Sequence, residues 1–222
     1  MALKRLGWWL ARPQMWEREI RAFERRERAV RTEPGRIVFT GSSSIRFWST
    51  LEEDMWPLVV VNRGFGGAHA AHVTHYAERI LFPTAPRAVV MYAGDNDLGR
   101  LSPRSTRSVV ADFEAFVIAI RKRLGDTLPI YLLSIKPSPL RAKQWPRMAR
   151  TNEGIARIAA EMPHVAYLDV ATPMLDGRGR PRRELYRWDG LHMNAAGYGL
   201  WTSIVKPRLL EDFGSSSTPS KS

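Results

Sequence analysis

The chain has 222 residues and a mass of 25.3 kDa, enough for one sizeable hydrophobic core and short of what demands a second domain. Apolar residues make up 44% of it, yet no apolar run approaches the roughly 20 residues that cross a bilayer, and the absence of Cys excludes disulfides, thiol catalysis and thiolate metal sites. Lys and Arg outnumber Asp and Glu by 34 to 22, a formal charge of +12, but the excess is scattered and no nucleic-acid motif accompanies it, so neither specific nucleic-acid binding nor a transmembrane segment is expected.

Met1 to Arg12 begins like an export signal, but its apolar part is interrupted and runs into Arg12, Glu17 and Arg18, so a cytoplasmic location is the default expectation. Trp16, Ile20, Phe23 and Val30 then recur at near-helical intervals, predicting an amphipathic helix from about Pro13 to Arg31 that Pro34-Gly35 ends. Arg25, Arg26, Arg28 and Arg31 alternate with Glu24, Glu27 and Glu33, the pattern of a solvated helix face. Residues 1–35 therefore read as a helical extension packed on a domain spanning 36–213, with 214–222 a small, polar and disordered tail. No pattern sets an oligomeric state.

Four runs rich in β-branched and apolar residues follow: Ile37 to Thr40, Leu58 to Val61, Ala88 to Tyr92 and Ile130 to Ile135, with a weaker fifth at Val165 to Leu168. Between them lie helical periods, at Val73, Ala77, Ile80 and Leu81, at Val109, Phe113, Phe116, Val117 and Ile120, and at Ile155, Ile158 and Ala159. A last helix is expected from Asn194, carrying Tyr198, Trp201, Ile204 and Val205 and ending near Pro207. Alternation of strand and helix implies an α/β fold with a parallel sheet covered on both faces, whose site lies beyond the C-terminal strand ends. Gly41-Ser42-Ser43, Gly64 to Gly67 and Gly94 to Asp97 fall after the first, second and third strands.

Those segments carry chemistry. A serine on a sharp strand-to-helix turn exposes its hydroxyl, which makes Ser43 the candidate nucleophile, although Gly-Ser-Ser-Ser is also an ordinary turn or helix cap. Ile45 stands where a Gly-x-Ser-x-Gly elbow needs glycine, which disfavours the α/β-hydrolase turn. In Asp189-Gly190-Leu191-His192, the imidazole is the candidate base and the carboxylate the group that orients it. The Ser43 and Gly67 backbone N–H groups and the Asn96 amide are the candidate oxyanion donors. Trp188 is a candidate wall of the acyl or leaving-group pocket. Arg141, in the Pro-rich loop after the fourth strand, and Arg63 are candidates to attract an anionic substrate.

In order, the Gly-Ser-Ser-Ser turn, the Asn62-Arg63-Gly64-Phe65-Gly66-Gly67 loop, the Gly94-Asp95-Asn96-Asp97 loop and the Asp-Gly-Leu-His segment resemble the four sequence blocks of the SGNH, or GDSL-type, hydrolases. The resemblance runs from about Ile37 to Tyr198. Aligned on the blocks, Ser43 matches the family nucleophile, Gly67 and Asn96 its oxyanion donors, and Asp189 and His192 the rest of its triad. One position departs, since Ser42 stands where the family's Gly-Asp-Ser has Asp. The resemblance implies a three-layer α/β/α, flavodoxin-like sheet of about five strands, hydrolysis of carboxylic or thio esters of small molecules, and no cofactor or metal. Lacking any long lid-like insertion, the chain is expected to prefer short acyl groups. The rival reading is a non-catalytic module on the same fold, whose basic surface binds anionic lipid or polysaccharide. His69, His72 and His75 do not make a metal site in this reading, because steps of three residues do not hold all three on one helix face and no acidic partner sequence completes a ligand set.

Overall fold

The computed structural model describes residues 15–29, 35–100 and 102–214. The readings placed on Met1 to Pro13, on Val30, Arg31, Glu33 and Pro34, and on residues 215–222 lie outside these. Five strands, β1 (Ile37–Gly41), β2 (Val60–Gly64), β3 (Ala88–Tyr92), β4 (Ile130–Leu133) and β5 (Val165–Leu168), form one sheet in the order β2-β1-β3-β4-β5, every pair parallel. The helices are α1 (Glu17–Ala29), α2 (Ser43–Arg46), α3 (Leu51–Met55), α4 (Ala70–Ile80), α5 (Thr106–Leu124), α6 (Trp145–Glu161) and α7 (Ala195–Phe213).

Side chains alternate across each strand, and in β1, β3 and β4 both faces are buried, so these three read as nearly continuous apolar runs without a polar alternation. Val38, Val61, Val89, Met91, Ile130 and Leu132 meet one layer, built on Ile20 and Phe23 of α1, Val73 of α4, Phe113 and Phe116 of α5 and Ile155 of α6. Ile37, Phe39, Val60, Val90, Tyr92 and Leu133 meet the other, built on Ile45 of α2, Leu51 of α3 and Trp201, Val205 and Leu209 of α7. Trp48 and Trp201 are fully buried in that second layer with their rings edge to face at 5.9 Å. Each removes roughly 200 Å² from water, on the order of 5 kcal/mol of gross burial. The fold is thus the expected three-layer α/β/α arrangement, and among the described residues no helix is long and apolar enough to cross a membrane.

Several boundaries differ from expectation: β1 runs one residue further, to Gly41, α1 starts at Glu17, and β2, β4 and α7 depart as follows. β2 begins two residues later than Leu58 and extends to Gly64, because its register with β1 pairs Ile37 with Val60 and Gly41 with Gly64; Asn62 and Arg63 are therefore strand residues. β4 stops at Leu133, after which Asn152 of α6 stands in for a neighbouring strand, accepting from Ile135 N–H at 2.8 Å and donating to Ile135 O at 3.0 Å. α7 continues past Pro207 to Phe213. Proline removes one helix hydrogen bond, but Pro207 lies on the exposed face while Trp201, Val205 and Leu209 keep the opposite stripe buried, so packing overrides the local break.

Candidate active site

β1 sits between β2 and β3, so the segments leaving those three strands emerge side by side. Gly41 ends β1 with φ +139°, and a Cβ there would lie 1.7 Å from Tyr92 O, so no other residue fits. The chain turns at once: Ser42 N–H donates to Tyr92 O at 3.0 Å and α2 starts at Ser43. The three hydroxyls then part company. Ser42 is fully buried and its Oγ–H donates to Asp95 Oδ1 at 3.4 Å, while Ser44 is buried in the protein. Ser43 alone faces an imidazole, its Oγ 3.2 Å from His192 Nε2. Four residues of α2 carry little dipole, but the Ser43 N–H stands in the first turn, where the helix offers no carbonyl to accept it.

His192 arrives from the long connection between β5 and α7. Its loop is closed by Arg187 N–H to His192 O at 2.8 Å and Gly190 N–H to Arg187 O at 3.0 Å. Within it Asp189 Oδ1 accepts the Leu191 and His192 N–H groups, both at 2.9 Å, and Oδ2 lies 2.6 Å from His192 Nδ1. Burial pushes the Asp189 carboxyl upward, but hydrogen bonds from Leu191 N–H, the His192 ring and His192 N–H outweigh it and hold the group at about 2. A carboxylate only accepts, so it places the imidazole proton on Nδ1 and leaves the Nε2 lone pair toward Ser43. Phe47 stands edge-on to the ring at 4.9 Å, and Asn194 Oδ1 accepts Gly197 N–H at 3.1 Å to cap α7 just behind it.

Gly67 is exposed with φ +73°, a left-handed turn that favours glycine. Asn96 leaves β3 on the other side and is tied to the same loop, its Nδ2 donating to Ala68 O at 3.1 Å. Its Oδ1 accepts Arg141 Nη2 at 3.0 Å. Because guanidinium only donates, this contact fixes which end of the amide is nitrogen. One amide hydrogen is on Ala68, and the second has no partner among the described residues.

Beneath these loops lies a charge cluster that sequence reasoning did not assemble. Asp95, 2% exposed, receives Ser42 and sits 3.4 Å from Arg141 Nη1 and 3.8 Å from Lys136 Nζ. Arg141 also donates to the Asp95 backbone carbonyl. Lys136, 1% exposed, donates to Leu191 O at 2.9 Å; burial pulls its ammonium down to about 8 against the attraction of Asp95. The cluster therefore joins the serine turn, the Asn96 loop and the His192 loop. The signal available in the sequence was a lysine and an arginine in the Pro-rich loop after the fourth strand, but its partners were not legible.

The other sequence candidates are placed differently. Arg63 is buried, pairs with Glu27 and lies over the Phe23 ring of α1, so its guanidinium is occupied away from Ser43. Arg141 is engaged by Asp95 and Asn96 as described. Trp188 is 91% exposed beside Asp189. His69 caps α4 with its imidazole 3.5 Å from Asp97, and His72 Nδ1 accepts the His69 N–H at 3.2 Å. Among the described residues no group of three or more His, Asp or Glu is placed to hold a metal ion.

Comparison with known proteins bears on what this arrangement is for. Residues 34–200 match the model of the GDSL-like Lipase/Acylhydrolase family. No curated protein matches the chain. Among solved structures, a Streptococcus pneumonia protein provisionally named a platelet activating factor superposes with a TM-score of 0.72 at 23% identity, covering 96% of this chain and 98% of that one. A GDSL-like lipase from Bacteroides thetaiotaomicron gives 0.71 at 17% identity, with 87% and 98% covered. Axe2, an acetyl-xylooligosaccharide esterase from Geobacillus Stearmophilus, gives 0.62 at 15% identity, with 85% and 98% covered. These likenesses are of fold, whereas the family model spans most of the chain. The chain belongs to the GDSL-like lipase/acylhydrolase family and is an ester-cleaving hydrolase.

Proposed function

We propose that Ser43, His192 and Asp189 hydrolyse a carboxylic or thio ester of a small molecule through an acyl-enzyme, with a preference for short acyl groups. The observation that carries this reading is the continuous chain Ser43 Oγ, His192 Nε2, His192 Nδ1, Asp189 Oδ2 at 3.2 and 2.6 Å. Ser43 Oγ bonds to the acyl carbon as its proton passes to His192 Nε2, and the carbonyl π pair moves onto oxygen. The Ser43 N–H, the Gly67 N–H and the second Asn96 amide hydrogen receive that charge, each such donor being worth on the order of 3 kcal/mol in the barrier. Collapse re-forms the carbonyl and expels the alcohol or thiol, which takes the proton from His192. Water then attacks acyl-Ser43 with His192 as base, releasing the carboxylic acid and regenerating the hydroxyl.

Ser42 fits this site as a neutral residue, because a carboxylate there would face Asp95 within contact distance. Short segments follow β1 and β2, which supports small acyl groups, and in this reading Trp188, exposed and next in sequence to Asp189, meets the leaving group or acyl chain at the rim. Hydrolysis of p-nitrophenyl acetate and p-nitrophenyl octanoate by the wild type and Ser43→Ala tests the reading. Turnover that favours acetate and disappears in the variant is expected; turnover undiminished in Ser43→Ala would sink the mechanism, and preference for octanoate would sink the chain-length claim.

A further inference from the structure

We propose that Trp16 is a positioning residue for the oxyanion donor at Gly67, so that the segment preceding the family-matched residues completes the site. The proposal rests on the reading of Gly67 as a donor. Trp16 Nε1–H donates to Gly66 O at 2.6 Å, across fifty positions of sequence. That carbonyl and the Gly67 N–H belong to one peptide group. Since a trans peptide is planar, its C=O and N–H point in opposite directions, and whatever fixes the oxygen fixes the aim of the hydrogen.

The aim needs fixing here. A flip of this peptide turns about ψ of Gly66 and φ of Gly67, the torsions that glycine leaves freest, and no strand partner restrains it because β2 has ended at Gly64. A Cβ at Gly67 would meet nothing within 4 Å, so on that side packing does not hold the group, and on the Gly66 side its neighbour is the flexible end of Arg46, 2.7 Å from where a Cβ would stand. Trp16 itself is held firmly: it is 6% exposed, its ring lies 4.3 Å from His72, and it stands edge to face with Phe65 at 5.8 Å and Tyr76 at 6.5 Å. Its carbonyl accepts Ile20 N–H at 2.9 Å to start α1, and α1 is tied down by Glu19 to Arg46 at 2.9 Å, Glu24 to Arg79 at 2.7 Å and Glu27 to Arg63. A neutral indole donor anchored in this way polarises the peptide further in the direction oxyanion binding requires.

Trp16→Phe in the full chain keeps an aromatic ring in the same packing and removes the donor. With rates normalised to active sites counted by a fluorophosphonate, kcat should fall about ten-fold with KM within two-fold of wild type, part of the loss expected for a missing donor. The affinity of a trifluoromethyl ketone, whose adduct carries the oxyanion, should weaken by the same factor. Unchanged kcat and inhibitor affinity, or a loss accounted for by fewer active sites alone, would overturn the proposal. A measurement on the wild type covers the case of a variant that does not fold: the Trp16 indole proton should move downfield in the NMR spectrum when the adduct forms, and an unmoved resonance overturns it. Activity persisting in Ser43→Ala would instead refute the Ser43 mechanism on which the proposal rests.

Discussion

Asp189→Asn separates charge and tautomer from shape. An amide keeps an oxygen for the Leu191 and His192 N–H groups at 2.9 Å, but presents NH2 where Oδ2 now lies 2.6 Å from His192 Nδ1. His192 must then accept at Nδ1 and carry its proton on Nε2, aimed at Ser43 Oγ, which turns the base into a donor. In a Ser-His-Asp site this change lowers kcat by about 10⁴, or about 5.5 kcal/mol of barrier. Stability changes less. Asp189 is held at about 2 against an ordinary 3.8, a difference worth on the order of 2 kcal/mol as an upper bound, because the amide retains two of the three hydrogen bonds. A depressed carboxyl stabilises the fold above its unfolded value and loses that contribution as pH falls through the folded one. The gap in stability between wild type and variant should therefore be full at neutral pH and close between about pH 4 and pH 2. The assay is p-nitrophenyl acetate hydrolysis beside denaturant unfolding across that range. A variant within ten-fold of wild type in kcat/KM would refute the role given to Asp189.

Arg141→Met should lower kcat about ten-fold with KM unchanged, since it frees the Asn96 amide to rotate without removing it, and should add no further loss in an Asn96→Ala background; a loss that simply multiplies would contradict the positioning role. Gly41→Ala places a Cβ 1.7 Å from Tyr92 O and should cost more than about 3 kcal/mol, seen as a fall in Tm of about 10 °C or as failure to fold. Pro207→Ala, on the exposed face of α7, restores a helix hydrogen bond and should raise stability by about 1 kcal/mol in urea unfolding, whereas destabilisation would show that Pro207 does more than interrupt the helix. Trp188→Ala should leave Tm within about 1 °C because the ring is 91% exposed, so a rise in KM would report substrate contact directly.

Much of the architecture was legible because the strands advertise themselves. Buried on both faces, Ile37 to Thr40 and Ala88 to Tyr92 are runs of β-branched and apolar residues, and glycines mark where such runs stop at the C-terminal edge of the sheet. Ser43, Asp189, His192, Gly67 and Asn96 could be singled out because a turn, a loop and a helix start each constrain residue type locally. The limits were non-local. The end of β2 is set by its register with Gly41, not by its own composition, so Arg63 read as a loop residue facing substrate when it is buried beside Glu27. Arg141 carries no sequence mark of its bond to Asn96, and Trp16 none of its bond to Gly66, since both contacts exist only after distant segments pack. Pro207 misled for a related reason, as the stripe of Trp201, Val205 and Leu209 decides where α7 ends.

The most direct test of the central claim is covalent labelling by a fluorophosphonate followed by peptide mapping. One label per chain on Ser43 is predicted, lost in Ser43→Ala and slowed in His192→Ala, because among the described residues only that hydroxyl meets the imidazole. A label on Ser42 or Ser44, or labelling of Ser43 at an undiminished rate without His192, would contradict it.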